Sequence, residues 1–204
     1  MKSKILILTT FLISQISFSQ MQYYDVKGNN VSEKTYNRLN TKNNQLKVFN
    51  DSLKIAKIIP TRTVHGNIDT KAFVHNLSEK LGIEINTDYP TIIEYYPGKD
   101  PCNTTSANAE DLKNMQLYSE YSANKITPTN FINIYKSKEG IITINDLIWY
   151  KDPNRIIEKT FFEYHYPCSS YVILHDDKYI SYFGEFSNKD LLKNLRKIIS
   201  PSNL

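Results

Sequence analysis

The last third of the chain carries the pattern that most restricts the possible fold. An uninterrupted apolar run at residues 171–174 is followed by turn residues at 175–178 and by a second β-favouring stretch at 179–183. A hairpin of this kind exposes an apolar face that another element has to cover. The segment that follows supplies the cover, because its apolar residues recur on one side of a helix: Leu191, Leu192, Leu195, Ile198 and Ile199. The sequence therefore predicts a sheet packed against helices.

Earlier segments extend this alternation of strands and helices. Residues 91–96 have strong β propensity, and a helix is predicted from Asp69 or Thr70 to Gly82, with glycine where a helix commonly stops. Another helix is predicted over residues 109–122. Ser187 and Asp190 resemble a capping box at the start of the C-terminal amphipathic helix. Such an order of elements indicates an α/β fold.

The beginning of the chain is typical of a secretory signal peptide. Lys2 and Lys4 form a basic start, an apolar run follows at residues 5–13, and small residues lead to Ser19. We expect cleavage after Ser19, which leaves Gln20 as the first residue. Because the run is shorter than the roughly 18 apolar residues that indicate a membrane-spanning helix, we expect a bacterial periplasmic or secreted protein without stable membrane insertion after leader removal.

The charge of the mature chain depends on that cleavage. The formal net charge is +4, and loss of the two leader lysines lowers it to +2. Proteins that bind nucleic acids need clustered basic charge, so this near-neutral balance argues against a nucleic-acid partner. Any partner is expected to be another exported protein.

Two regions of the chain form a pattern that neither shows alone. In the first, the strand at 91–96 leads to Cys102 at a helix start. In the second, Pro167 precedes the strand at 171–174, and a hairpin, Gly184 and an amphipathic helix follow. Together they resemble the thioredoxin superfamily, most closely its secreted bacterial members. The resemblance implies a mixed sheet flanked by helices, with 91–96 as its central strand and Pro167 as the family's cis-proline.

The resemblance covers residues 53–199, and together with the leader it divides the chain into three parts. We expect a signal peptide at 1–19, an N-terminal extension at 20–52 and a thioredoxin-like domain at 53–204.

The active-site motif of the family is degenerate in this chain. The family has the pattern C-x-x-C at a helix N-terminus, where the helix dipole stabilises a thiolate. The matching stretch here is Lys99-Asp100-Pro101-Cys102, and the residues just after Cys102 include no second cysteine. Disulfide exchange by the dithiol route needs a second thiol to resolve the mixed disulfide, so the standard mechanism is absent.

The other cysteine of the chain, Cys168, directly follows Pro167. In the family the cis-proline loop lies against the active-site loop, which implies that Cys168 comes within reach of Cys102. A disulfide requires their Cα atoms to lie within about 7 Å. In an exported chain with two cysteines there is a single possible pairing. A structural disulfide, a redox-active disulfide and two unpaired cysteines all stay open.

His165, two residues before Pro167, is the further side chain that the resemblance brings near the cysteines. As a base it would lower a thiol pKa, and together with Cys102 and Cys168 it would offer a copper or zinc site. We expect a histidine packed at a strand end instead, and no metal. The chain also contains no phosphate-binding glycine loop, HExxH or G-x-S-x-G motif, so no cofactor is expected.

Two functions follow from the resemblance. The favoured one is a non-catalytic binding or scaffold module that a disulfide between Cys102 and Cys168 holds together, because fold alone does not fix function and the motif is incomplete. The alternative is an atypical thiol-disulfide oxidoreductase. In that case Cys102 and Cys168 form a split redox pair beside Pro167, and these three are the catalytic residues.

Overall fold

The structure is a computed structural model, and it describes residues 20–42, 44–99, 109–141, 147–164 and 168–200. These residues form an α/β fold with two sheets, one of four and one of six strands, and with helices packed on the larger sheet. The α/β class and the mixed, helix-flanked sheet predicted from the sequence are confirmed.

The four-stranded sheet is built from the first part of the described chain. Its strands are β1 (Gln22–Tyr24), β2 (Asn30–Val31), β3 (Leu46–Asn50) and β4 (Ile55–Ile59). Their order in the sheet is β2-β1-β4-β3, and β1 pairs in parallel with β4 and antiparallel with β2. The short helix α1 (Glu33–Arg38) contributes the buried Tyr36 to the small core of this sheet. The predicted boundary between residues 52 and 53 falls in the turn that joins β3 to β4.

The strands of the six-stranded sheet are β5 (Thr63–Asn67), β6 (Thr91–Tyr96), β7 (Asn130–Tyr135), β8 (Trp149–Lys151), β9 (Ser170–His175) and β10 (Lys178–Tyr182). Their order in the sheet is β5-β10-β9-β6-β7-β8. Strands β6, β7 and β8 run parallel to each other, while β9 is antiparallel to both β6 and β10. Strand β6 is therefore the place where the parallel and antiparallel halves of the sheet meet.

Helices cover both faces of this sheet. They are α2 (Thr70–Leu81), α3 (Ala109–Asn124), α4 (Ile156–Phe161) and α5 (Asn188–Ile199). Because side chains alternate along a strand, Ile93 of β6 packs with α2 and α4 in one core, while its neighbour Ile92 packs with α3 and α5 in the other. Strand β6 is buried along its whole length between these two layers. None of the helices in the described part of the chain combines the length and the apolar character needed to cross a bilayer.

Local signals set the ends of two helices as predicted. The Asp69 side chain accepts a hydrogen bond from the backbone N–H of Ala72 at the start of α2. Gly82 ends that helix in the left-handed conformation, with φ of +65°. Ser187 and Asp190 form a reciprocal capping box at the start of α5.

Candidate functional site

The region of interest is the edge of the sheet where β6 ends and β9 begins. These strands are antiparallel neighbours, and Tyr95 pairs with Ser170 in their register. The loop after β6 and the loop before β9 therefore leave the sheet side by side. Gly98, two residues after the end of β6, has a φ of +121° that favours glycine, and a Cβ there would lie only 2.9 Å from the Cβ of Ser137.

The predicted site residues fall only partly within the described chain. Cys168 is partly buried beside β9, has a positive φ of +64°, and is not a free thiol. Cys102, His165 and Pro167 lie outside the described residues. Within the described ranges, no group of three or more His, Cys, Asp or Glu side chains is arranged to hold a metal ion. The pairing of Cys102 with Cys168, the cis-proline assignment and the alternative metal set therefore stay predictions.

Glu94 is an acidic side chain in the middle of the buried strand β6. It is 8% exposed and is the one charged residue of that strand. Burial raises the pKa of its carboxyl to about 7, against the opposing effect of hydrogen bonds with the side chains of Gln116 and Ser169. A carboxyl with a pKa in this range takes up and releases a proton near neutral pH.

The partners of Glu94 connect it to both sides of the site. Gln116 lies on α3, the helix that follows the Cys102 segment in the chain, and Ser169 is the residue directly after Cys168. Both partners are neutral, so the hydrogen bonds that hold the carboxylate bring no cation to it. The carboxyl of Glu94 is thus a buried titratable group that is hydrogen-bonded to Ser169, the residue next to Cys168.

The opposite face of the sheet holds a second acidic group, which has charged partners. Glu158 of α4 accepts hydrogen bonds from Lys136 Nζ at 2.8 Å and from Arg155 Nε at 2.5 Å. Burial raises the pKa of Glu158, but the hydrogen bonds and charges of Arg155 and Lys136 outweigh it, so the pKa lies below its usual value.

Tyr95 of β6 lies beside this ion pair. Its ring stacks on Phe162 with centroids 5.0 Å apart, and its buried hydroxyl has no hydrogen-bond partner among the described residues. A small cavity of about 10 Å³ lies there, lined in part by Tyr95, Lys136 and Glu158. That volume is on the scale of a single water molecule, so the cavity is too small for an organic ligand.

The start of α4 is held by a buried acid and an unusual backbone. Asp152 is 4% exposed, and its carboxylate accepts the backbone N–H groups of Ile157 and Glu158, each at 3.0 Å. Burial raises the pKa of Asp152, while these hydrogen bonds oppose the rise. Asn154 and Arg155 both have positive φ, 54° and 57°, a conformation that costs non-glycine residues energy.

Glu94 is not among the site residues predicted from the sequence. The signal that could have found it is a single acidic residue inside the otherwise uncharged strand β6. Strands buried on both faces are nearly continuous apolar runs, so a carboxyl at such a position needs a physical or functional reason.

No family model matches this chain, and neither does any curated protein or solved structure.

Proposed function

We propose that this protein is an exported, thioredoxin-like binding or scaffold module held together by a disulfide between Cys102 and Cys168. The strand topology supports the thioredoxin-like part of the proposal. A parallel β6–α3–β7 unit is followed by the antiparallel hairpin of β9 and β10 and by the terminal helix α5, with β6 beside β9. This is the order that the resemblance requires around its central strand.

The register of β6 and β9 supports the disulfide. Tyr95 pairs with Ser170, so Cys168 precedes the sheet beside the end of β6, and Cys102 follows that end after a short stretch of chain. Few residues separate each cysteine from the paired strands, which favours an approach within disulfide distance.

The observation that carries the binding role is an exposed apolar surface on α3. Met115, Tyr118 and Tyr121 are 64%, 61% and 58% exposed, and they recur at intervals of three residues along the helix. The helix is anchored elsewhere, since Ala123 packs in the core shared with α5. Exposed apolar clusters commonly mark interaction sites.

The chemistry of this surface favours an apolar or aromatic segment of another exported protein as the partner. Tyrosine rings supply large contact areas with a polar tip, which is why they are enriched in interfaces. Lys125 lies over the Tyr121 ring, with Nζ 4.4 Å from the centroid, and Tyr121 nevertheless stays exposed.

A site-specific cross-linker tests the binding role. With a photoreactive residue at Tyr118, we expect the exported protein to form a discrete adduct that Tyr121→Ala weakens. The same photoreactive residue at Lys193, an exposed position on α5, is the matched control and should give none. Equal adducts at both positions would contradict a specific surface on α3.

A second candidate function is an atypical thiol-disulfide oxidoreductase that uses Cys102 and Cys168. The observation that favours it is Glu94, because a buried carboxyl with a pKa of about 7 is hydrogen-bonded to the residue next to Cys168. A group of this kind can move the proton that accompanies thiolate formation.

Thiol chemistry separates the two candidates. Alkylation with intact-mass measurement before and after mild reduction reports the disulfide, and an insulin-reduction assay reports turnover. We expect a disulfide that resists mild reduction and no turnover. A pair that cycles near glutathione-like potentials would favour the oxidoreductase instead.

A further inference from the structure

Gln20 is the residue that export would place at the new N-terminus. This inference rests on the proposed export, since the predicted cleavage after Ser19 gives Gln20 a free α-amino group. Gln20 is exposed and lies two residues before the start of β1. Sheet hydrogen bonding begins later, where the Gln22 N–H donates to the Lys54 carbonyl at 2.8 Å. Cleavage at this point therefore leaves the sheet intact.

The surroundings of Gln20 leave space for its side chain to fold back on its own amine. Gln20 lies at an open cavity of about 460 Å³, whose lining also includes Tyr23 and Glu33. An intramolecular reaction of this kind depends mainly on the two groups meeting in the right geometry.

We propose that Gln20 is converted to pyroglutamate. The α-amino nitrogen attacks the side-chain carboxamide carbon, a new C–N bond closes a lactam ring, and the C–NH₂ bond breaks to release ammonia. No oxidant or reductant is needed. The neutral amine is the nucleophile, and because an α-amino group has a pKa of about 8, roughly a tenth of it is neutral at pH 7. Conversion of the α-amine to a lactam removes one positive charge from the chain.

The position of β1 gives this modification a structural consequence. Strand β1 lies between β2 and β4, and the Tyr23 ring contacts the Tyr36 ring at a centroid distance of 5.2 Å. An aminopeptidase that removed a few residues from Gln20 onward would reach the strand that links β2 to the rest of this sheet. A lactam has no free amine for such an enzyme, so cyclisation protects β1.

The test uses the full chain with its own leader, expressed in a bacterium that also exports a glutaminyl cyclase. We expect a mature chain that begins at Gln20 and whose mass is lower by one ammonia than that of the unmodified chain. Its N-terminus should resist Edman degradation until pyroglutamyl peptidase removes the blocking residue. Gln20→Asn is the matched control, because its shorter side chain would have to close a more strained ring. It should keep a free amine and lose residues of β1 to an aminopeptidase.

The outcomes separate the modification from the export on which it rests. A mature chain that begins at Gln20 with a free amine would overturn the modification and leave export standing. A chain that begins at another residue after loss of the leader would also overturn only the modification, whereas a chain that keeps its leader would overturn both.

Discussion

Glu94 and Glu158 are acidic residues on opposite faces of the large sheet, and their surroundings act on them in opposite directions. Glu158 has two cationic partners, Arg155 and Lys136, which hold its pKa below the usual value. Glu94 is hydrogen-bonded to the neutral side chains of Gln116 and Ser169, and burial raises its pKa to about 7. The pKa of a carboxyl here therefore depends both on how deeply it is buried and on whether a cation lies beside it.

The difference separates a structural acid from a candidate functional one. The ion pairs of Glu158 hold the start of α4 in place, so that carboxylate contributes to stability. Ionised Glu94 has hydrogen bonds, but among the described residues no cation offsets its desolvation, so the charged form costs stability. A purely structural role is therefore a poor explanation for this carboxyl.

Removal of the Glu94 charge should have the largest effect on the free energy of unfolding and on its pH dependence. A carboxyl whose folded pKa of about 7 exceeds its ordinary value of 4.5 binds more protons in the folded state, so the free energy of unfolding falls as the pH rises from 4.5 to 7. The shift corresponds to about 3 kcal/mol. In Glu94→Gln this fall should be absent, as measured by denaturant unfolding from pH 4.5 to 8. An unchanged pH dependence would show that Glu94 does not titrate in this window.

Introduction of a cation beside Glu94 should lower the pKa of this carboxyl, as the cations beside Glu158 do there. In Gln116→Lys, the ammonium group should lower the pKa of Glu94 by about 1 to 3 pH units, and most of the pH dependence above should disappear. Carboxyl chemical shifts followed by NMR would report the change directly. Gln116→Met is the control, because it removes the hydrogen bond without adding charge and should raise the pKa further. A pKa that moves equally in both variants would remove the cation as the cause of the contrast.

Neutralisation of Glu158 should have a smaller effect with the opposite pH dependence. The pKa of Glu158 is lowered in the folded state. Its contribution to the free energy of unfolding is therefore complete above pH 4.5 and is lost as the pH falls through the folded pKa. We expect Glu158→Gln to lower the free energy of unfolding by about 1 to 2 kcal/mol at pH 7, as measured by denaturant unfolding. Glu163→Gln, at an exposed position just after α4, should change it little. Equal losses in the two variants would remove the special role of Glu158.

Removal of the Tyr95 hydroxyl should have the smallest effect. That hydroxyl is buried without a described partner, so Tyr95→Phe should be neutral or stabilise by up to about 1 kcal/mol in denaturant unfolding. Tyr171→Phe is the contrast, because the Tyr171 hydroxyl accepts a hydrogen bond from Asn194 at 2.8 Å, and we expect a loss of about 1 kcal/mol. A comparable loss in Tyr95→Phe would show that its hydroxyl does have a partner, such as a water in the small cavity.

Elements with strong local signals were predictable from the sequence. The cap at Asp69, the stop at Gly82 and the capping box at Ser187 act within a few residues, so the sequence alone locates α2 and the start of α5. Strand β5 was missed. It is an edge strand with no buried residue, and it exists because its backbone pairs with β10, which no local pattern records.

The candidate site was less predictable for the same reason. The pKa of Glu94 depends on Gln116 and Ser169, which are distant in the chain and meet it only in the folded sheet. The sequence directed attention to three residues outside the described ranges and to Cys168, which lies beside the site. The resemblance pointed to the cysteines and to Pro167, and the carboxyl buried in β6 was not among the predicted site residues.

The pairing of β6 with β9 also affects the order in which the large sheet can form. Thr91 pairs with Leu174, so the central strand of the large sheet gains its antiparallel neighbour only when the C-terminal part of the sequence is present. Long-range pairings of this kind slow folding. The segments that precede the C-terminal hairpin therefore remain without their antiparallel partner until that hairpin has been synthesised.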